Sequence, residues 1–352
     1  MLRRTSFRAG RLLTALLASL LVLGLFSGPS FLSALAQSKP KLDERKKPAK
    51  PELETRSPEQ EESKQKGFTI GVNVDLVVLH AAVHDKGGRF VNGLKKENFK
   101  VFEDGVAQTV SVFSQEDVPV SLGILLDTSG SMRTKLELVN KASLALIRAS
   151  NPDDEVFLLG FSQEIELLED YTNDVDMISD ALDNIVVTGG TALYDAIYLG
   201  VQKAQKGRKP KKAIVVVSDG EDRDSYYKLE ELLAKVQEAD VQIFCVGFMS
   251  PSPEKGLFGR FSKTPAEKAR EAMQKISDET GGKAYFPQKV TDLNAVASEI
   301  AHELRNQYSI GYNSSNTAKD GSWRRTKVVL AGADSSNYQV RARTGYFSAK
   351  LP

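Results

Sequence analysis

Asp127, Ser129 and Ser131 stand at alternate positions in Asp-Thr-Ser-Gly-Ser, immediately after the apolar run 120–126. A buried strand that stops abruptly in one carboxylate and two hydroxyls has the makings of a cation site. At that spacing one turn of backbone aims three oxygens at a single point. All three are hard donors, which suit Mg²⁺, Mn²⁺ or Ca²⁺ better than zinc or copper. Only one of them is charged, so a bound ion would keep much of its positive charge for an incoming ligand. The same residues also read as a helix cap or a turn, and alone they do not decide.

Two further segments add to them. Thr191 follows the pair Gly189-Gly190, just before a helical pattern, and Asp219 follows the second apolar run 213–217 within Ser-Asp-Gly-Glu-Asp. With these the chain resembles a von Willebrand factor type A domain carrying its metal-ion-dependent adhesion site. That family's pattern is Asp-x-Ser-x-Ser, a threonine on a second loop and an aspartate on a third. The resemblance implies that Ser129, Ser131 and Thr191 supply hydroxyl oxygens, while Asp127 and Asp219 bind the ion directly or through water. It further implies a divalent cation, Mg²⁺ first with Mn²⁺ or Ca²⁺ as alternatives, whose open position takes a carboxylate from a protein partner. Glu221, Asp222 and Asp224 follow closely and read as a solvated loop capping the next helix, with a supporting role around the ion as the alternative. Phe99–Gly105, 116–120 and 343–347 are similar to stretches of a secreted bacterial group of related proteins, and no particular function follows from that group.

An enzyme reading is weaker. Asp-Thr-Ser-Gly is similar to the Asp-Thr-Gly of aspartic proteases, but a second such loop and an all-β pattern are both missing. Metal-assisted hydrolysis needs a base near the ion, and the histidines, His80, His84 and His302, all lie away from the metal loops. The segment 160–164, Gly-Phe-Ser-Gln-Glu, lacks the final glycine of a hydrolase elbow. A third reading is an envelope scaffold whose metal only stiffens the loops; loss of partner binding in chelator would separate it from adhesion.

The elements that must position these residues follow from the patterning. The chain has 352 residues with 41% hydrophobic and 26% charged, enough for about two domains with a folded core. Arg3, Arg4, Arg8 and Arg11 precede an uncharged apolar stretch, 12–26, and then Ala34-Leu35-Ala36, which is the layout of a signal peptide spanning 1–36. The stretch is shorter than the roughly 20 residues of a spanning helix, although an uncleaved N-terminal anchor stays open as the one membrane connection. Either outcome places the folded part outside the cytoplasm, as a periplasmic, envelope or secreted protein. Without the leader, 43 Lys and Arg face 46 Asp and Glu, a balance that gives no sign of nucleic-acid binding. The single cysteine, Cys245, sits in an apolar run and reads as an inert core thiol.

Residues 37–66 are rich in Lys, Glu and Pro and read as a disordered charged linker. From 67 to 119 the pattern is short β strands, including 68–83, 99–102 and 109–113. His80 and His84, four apart, would lie roughly 13 Å from each other on a strand and could not chelate one ion. From 120 to 305 strand and helix alternate, with helices at 135–148, 177–185, Leu193–Ala204, 227–238, 266–277 and 293–305. The strands at 156–161 and 165–168 are too close for a crossover and predict an antiparallel hairpin at a sheet edge. The fold class is therefore α/β, a doubly wound and mostly parallel sheet, whose ligands bind beyond the carboxyl ends of its strands. Residues 251–264 form a long loop. Strands return at 308–312, 327–330 and 338–343, and 306–352 is expected to pack with 67–119 as one small β-sandwich, since neither group has enough strands alone.

Overall fold

The computed structural model describes residues 76–248 and 263–350. The expected leader 1–36, the linker 37–66, the start of the first strand run and most of the 251–264 loop lie outside the described residues. No helix among the described residues is long and apolar enough to cross a membrane.

The described residues begin with β1 (Leu76–Asp85), β2 (Phe99–Glu103), β3 (Val106–Gln108) and β4 (Val110–Ser114) before the chain enters the central sheet. Then follow β5 (Val120–Asp127), α1 (Leu136–Ala149), β6 (Glu155–Phe161), β7 (Ile165–Thr172), α2 (Val175–Asp183), α3 (Leu193–Ala204), β8 (Lys211–Ser218) and α4 (Leu229–Glu238). The α/β part closes with β9 (Gln242–Gly247), α5 (Pro265–Thr280), β10 (Ala284–Tyr285) and α6 (Leu293–Asn306). Its six strands lie in the order β10-β9-β8-β5-β6-β7, all parallel except β7, which returns antiparallel on β6 at the edge as the short connection requires.

Both faces of this sheet are covered, which is why its strands read as unbroken apolar runs. Leu122, Ile124 and Leu126 of β5 point to the side packed by α1, α2 and α6, whereas Leu125 faces α3, α4 and α5. Gly200 lets α3 lie close on β5: a Cβ there would fall 2.7 Å from Leu125. Local chemistry fixes the helix ends. Thr264 accepts from the Glu267 N–H while Glu267 reaches back to the Thr264 N–H, a reciprocal cap for α5, and Gly281 ends the helix at φ 76°.

The remaining strands are β11 (Tyr308–Asn313), β12 (Trp323–Leu330), β13 (Tyr338–Arg341) and β14 (Gly345–Phe347). They join the first four in two sheets, β13-β1-β11-β4 and β14-β12-β2-β3. Val77, Leu79, Val101, Tyr308, Ile310 and Val328 contribute to one shared core, so the N- and C-terminal strands form a β-sandwich. Asp104 and Gly105, with φ of 48° and 85°, make the two-residue turn that pairs Glu103 with Val106. The hairpin partner of β2 is thus β3. The strand expected at 109–113 instead crosses to the other sheet as β4, pairing with β11.

The chain leaves β5 for β6 on one side and later places β8 on the other, so the switch point of the sheet lies between β5 and β8. Asp127 ends β5, and Asp219 follows the last residue of β8. A doubly wound sheet offers its binding crevice at that position.

Candidate metal centre

Asp127 is 1% exposed at the end of a strand whose eight residues are all buried. Its Oδ1 accepts from the Ser129 N–H at 2.9 Å, and its Oδ2 accepts from Ser218 Oγ at 2.5 Å. Each oxygen therefore keeps a lone pair free for another partner. Burial raises the Asp127 pKa above the usual carboxylate range and the nearby charge of Asp219 adds to the rise, while the Ser129 and Ser218 donors oppose it. A carboxylate held in this way favours a cation beside it, which would relieve both the desolvation and the repulsion.

The chain then turns through a single 3-10 turn, Gly130–Met132, whose Met132 is fully buried and pins the loop to the core. That anchor leaves Ser131 exposed while Ser129 stays buried, and their Oγ atoms lie 3.0 Å apart. The second loop is stitched onto the first, since Thr188 N–H donates to Thr128 O at 2.9 Å and Gly130 N–H to Gly189 O at 3.4 Å. Thr191, 4% exposed, is fixed by the third loop. Its N–H donates to Asp224 Oδ2 at 3.0 Å, and its carbonyl accepts from the N–H groups of Arg223 and Asp224. Gly220, at φ 83°, turns that loop and donates to Ser218 Oγ.

Asp127, Ser129 and Ser131 thus share one turn, Thr191 is bound to the loop that follows Asp219, and Asp219 acts on Asp127 through its charge. The acidic residues after Asp219 divide by what they touch. Glu221 pairs with Arg223, and Asp222 accepts from the Tyr194 N–H at 3.2 Å and from Ser225 Oγ at 2.5 Å. Asp222 therefore caps α3, the helix before the loop, where the sequence had pointed to the helix after it. Burial pushes its pKa up to about 6. Asp195 accepts from the N–H groups of Tyr226 and Tyr227 and holds the far end of the loop.

Two residues carry weight that sequence reasoning missed. Ser218 reads as the polar end of an apolar run, yet β5 and β8 run parallel with Leu126 opposite Val217, which brings Ser218 level with Asp127. Asp224 was legible only as one of three loop acids. His80 and His84 lie on β1 and His302 on α6, away from the three loops. Cys245 is buried on β9, and burial pushes its thiol up to about 12. Among the described residues no cluster of three or more His, Cys, Asp or Glu is arranged to hold a metal. The candidate centre has only two carboxylates, and its other oxygens are hydroxyls.

The von Willebrand factor type A domain model matches residues 122–301, from β5 to α6. The chain belongs to that family. Over 120 residues it is 32% identical to an uncharacterised protein of Synechocystis sp., a match that takes in 32% of this chain and 29% of that one. The chain thus spans under a third of the length of that curated relative. Among solved structures, it is similar to an aerotolerance-related membrane protein of Bacteroides fragilis at 21% identity and a TM-score of 0.41, covering 53% of this chain and 98% of that one. A von Willebrand factor type A protein of Catenulispora acidiphila gives 11% identity and a TM-score of 0.45, covering 80% and 76%. The corresponding domain of the type V pilus tip protein Mfa5 of Porphyromonas gingivalis gives 12% and 0.42, covering 53% and 95%. Domains of this family often mediate adhesion and protein–protein interaction.

Proposed function

We propose that this protein is exported and binds a divalent cation with Asp127, Ser129, Ser131, Thr191 and Asp219, and through that ion an acidic side chain of a protein partner. The observation that carries the reading is the 3.0 Å between the Ser129 and Ser131 hydroxyl oxygens. Two neighbouring ligands of an octahedral Mg²⁺, each about 2.1 Å from the ion, stand about 3.0 Å apart. The donor set fits as well, with all-oxygen ligands and two carboxylates whose mutual repulsion the ion would offset. When bound, the ion supplies a positive charge that the three hydroxyls do not neutralise. The residues of the chain do the rest: Ser218 and the Ser129 N–H hold Asp127, and Asp224 holds Thr191. With the histidines elsewhere, binding is favoured over hydrolysis. Export rests on the basic, apolar and small-residue succession of 1–36.

Thermal melting with Mg²⁺ or Mn²⁺ tests this directly. Wild type should be stabilised by about 2–3 kcal/mol when the ion is a hundredfold above its dissociation constant, and Asp127→Ala far less. Equal stabilisation of both proteins would sink the assignment.

A further inference from the structure

Residues 162–191, the stretch from the end of β6 to Thr191, hold eight Asp and Glu and no Lys or Arg, in a chain whose overall formal charge is only +1. The structure gathers part of that charge into one place. An open groove of about 420 Å³ runs between β7 and α2, lined by Glu166, Leu168, Glu169, Met177, Asp180 and Val186 among others, with no basic residue in its wall. Asp170 is neutralised by Lys203, and Asp174 caps α2 through the N–H groups of Asp176 and Met177. Glu166, Glu169 and Asp180 have no cationic partner among the described residues.

The grouping depends on an irregularity in β7. Leu159 pairs with Leu167 and Leu158 with Glu169, which leaves Leu168 as an extra residue. In a regular strand, positions three apart face opposite ways. The bulge reverses that parity, so Glu166 and Glu169 both line the groove. On α2, Met177 and Asp180 are three apart and share a helix face. The floor is apolar and open: Met177 is 48% exposed and Val186 73%. The outer edge of β7 is unpaired among the described residues.

We propose that this groove is a docking site for a partner protein's extended segment that alternates Lys or Arg with aliphatic side chains. Its ammonium or guanidinium groups would meet Glu166, Glu169 and Asp180, and its aliphatic groups would cover Met177 and Val186. A second copy of this chain pairing through β7 would set acid against acid, which the charge pattern disfavours. The groove needs no metal, so the site stands or falls independently of the cation centre. Val186 leads through two residues to Gly189, so a segment seated here lies beside the loop that carries Thr191.

The test uses the full chain in chelator and a fluorescent peptide of about twelve alternating Lys and Leu residues, read by anisotropy. Glu166→Lys/Glu169→Lys/Asp180→Lys should weaken binding about tenfold or more, and binding to wild type should fall as salt rises from about 0.05 to 0.3 M. A control with the same change in net charge, Asp153→Lys/Glu230→Lys/Glu238→Lys, should weaken it by no more than about twofold. Met177→Ser/Val186→Ser keeps every charge, alters only exposed side chains, and should still weaken binding about threefold or more. Bound peptide should slow amide exchange at 165–169 and 177–186. Equal losses in the two charge-reversed proteins, indifference to the serine variant, or no saturable binding to wild type overturns the proposal.

Discussion

Ser218 Oγ donates to Asp127 Oδ2 across 2.5 Å, joining the carboxyl ends of β8 and β5 at the switch point of the sheet. The same hydroxyl accepts from the Gly220 N–H at 2.9 Å. One side chain thus orients the buried carboxylate and shapes the turn that follows Asp219. Ser218→Ala leaves Asp127 Oδ2 without that donor and makes its ionised form costlier. Groups that orient metal ligands typically contribute tenfold to a hundredfold in affinity, so Mn²⁺ binding should weaken by about that factor while the fold persists. Calorimetric titration of the two proteins decides it; unchanged affinity would remove Ser218 from the site.

Gly190 and Asp224 make a second testable pair. A Cβ on Gly190 would fall 1.8 Å from Asp224 Oδ2, the atom that accepts from the Thr191 N–H. Gly190→Ala therefore expels that carboxylate and frees the Thr191 loop. Asp224→Ala removes the same acceptor, whereas Asp224→Asn keeps an oxygen in place and should be mild. Each alanine change should weaken metal binding by about 1–2 kcal/mol, and the double variant should lose no more than either alone, because both break one contact. Additive losses would mean that the two residues act separately.

The contrast between these residues and Asp127 shows where the sequence was readable. Asp127 and Asp219 each stand at an abrupt change from an apolar run to a polar loop, and Thr191 at the change from a Gly-Gly loop to a helical pattern; such changes survive in one dimension. The α/β order was legible for the same reason, since helices and doubly buried strands have distinct periods over long runs. Ser218 was hidden because its role exists only once β5 and β8 are laid side by side. The bulge at Leu168 was hidden too, for a shift of pairing leaves the order of residues unchanged. At Thr109 a single residue separates β3 from β4, which enter different sheets, and no pattern of four or five residues encodes that switch. Glu103, next to the Asp104-Gly105 turn, carries no sign in the sequence of the partners that surround it.

Glu103, the last residue of β2, is 2% exposed and is surrounded by side chains from β11, β12 and β14. Burial works against its charge, but donors from Ser314, Tyr312, Tyr346 and Arg324 outweigh that and hold its pKa below the usual range. Arg324, 1% exposed, also donates to the carbonyls of Asn316 and Ala318. Glu103→Ala strands this guanidinium in the core and should cost about 3–5 kcal/mol, lowering the melting temperature by roughly 10 °C. Replacing both, as Glu103→Leu/Arg324→Met, removes the unpaired charge and should be less damaging than Glu103→Ala alone. If the double variant is the less stable, the ion pair itself stabilises the sandwich.

Acid sensitivity should arise where the sandwich meets the α/β part. His80 is held down at about 4 by burial and by Lys211, and His84 at about 4 by burial and by Arg341. His80 Nδ1 lies 3.2 Å from Ser309 Oγ, and His84 Nε2 lies 3.7 Å from Glu303 on α6, which also receives Arg341 of β13 at 2.5 Å. Both histidines titrate near 6.5 once the chain unfolds. Between pH 6.5 and 4 the unfolded chain therefore binds protons that the native protein refuses, and stability falls as the solution is acidified. Each pH unit in that window costs about 1.4 kcal/mol per histidine. Glu303 works in the opposite sense, because burial raises its pKa and the native state then gains a proton on acidification. The wild-type slope is the net of these, so the histidine share is read by difference. His80→Asn/His84→Asn should lose less stability than wild type between pH 6.5 and 5, by roughly 2–4 kcal/mol, in chemical denaturation at each pH. Parallel curves for the two proteins would show that neither imidazole is held neutral by the fold.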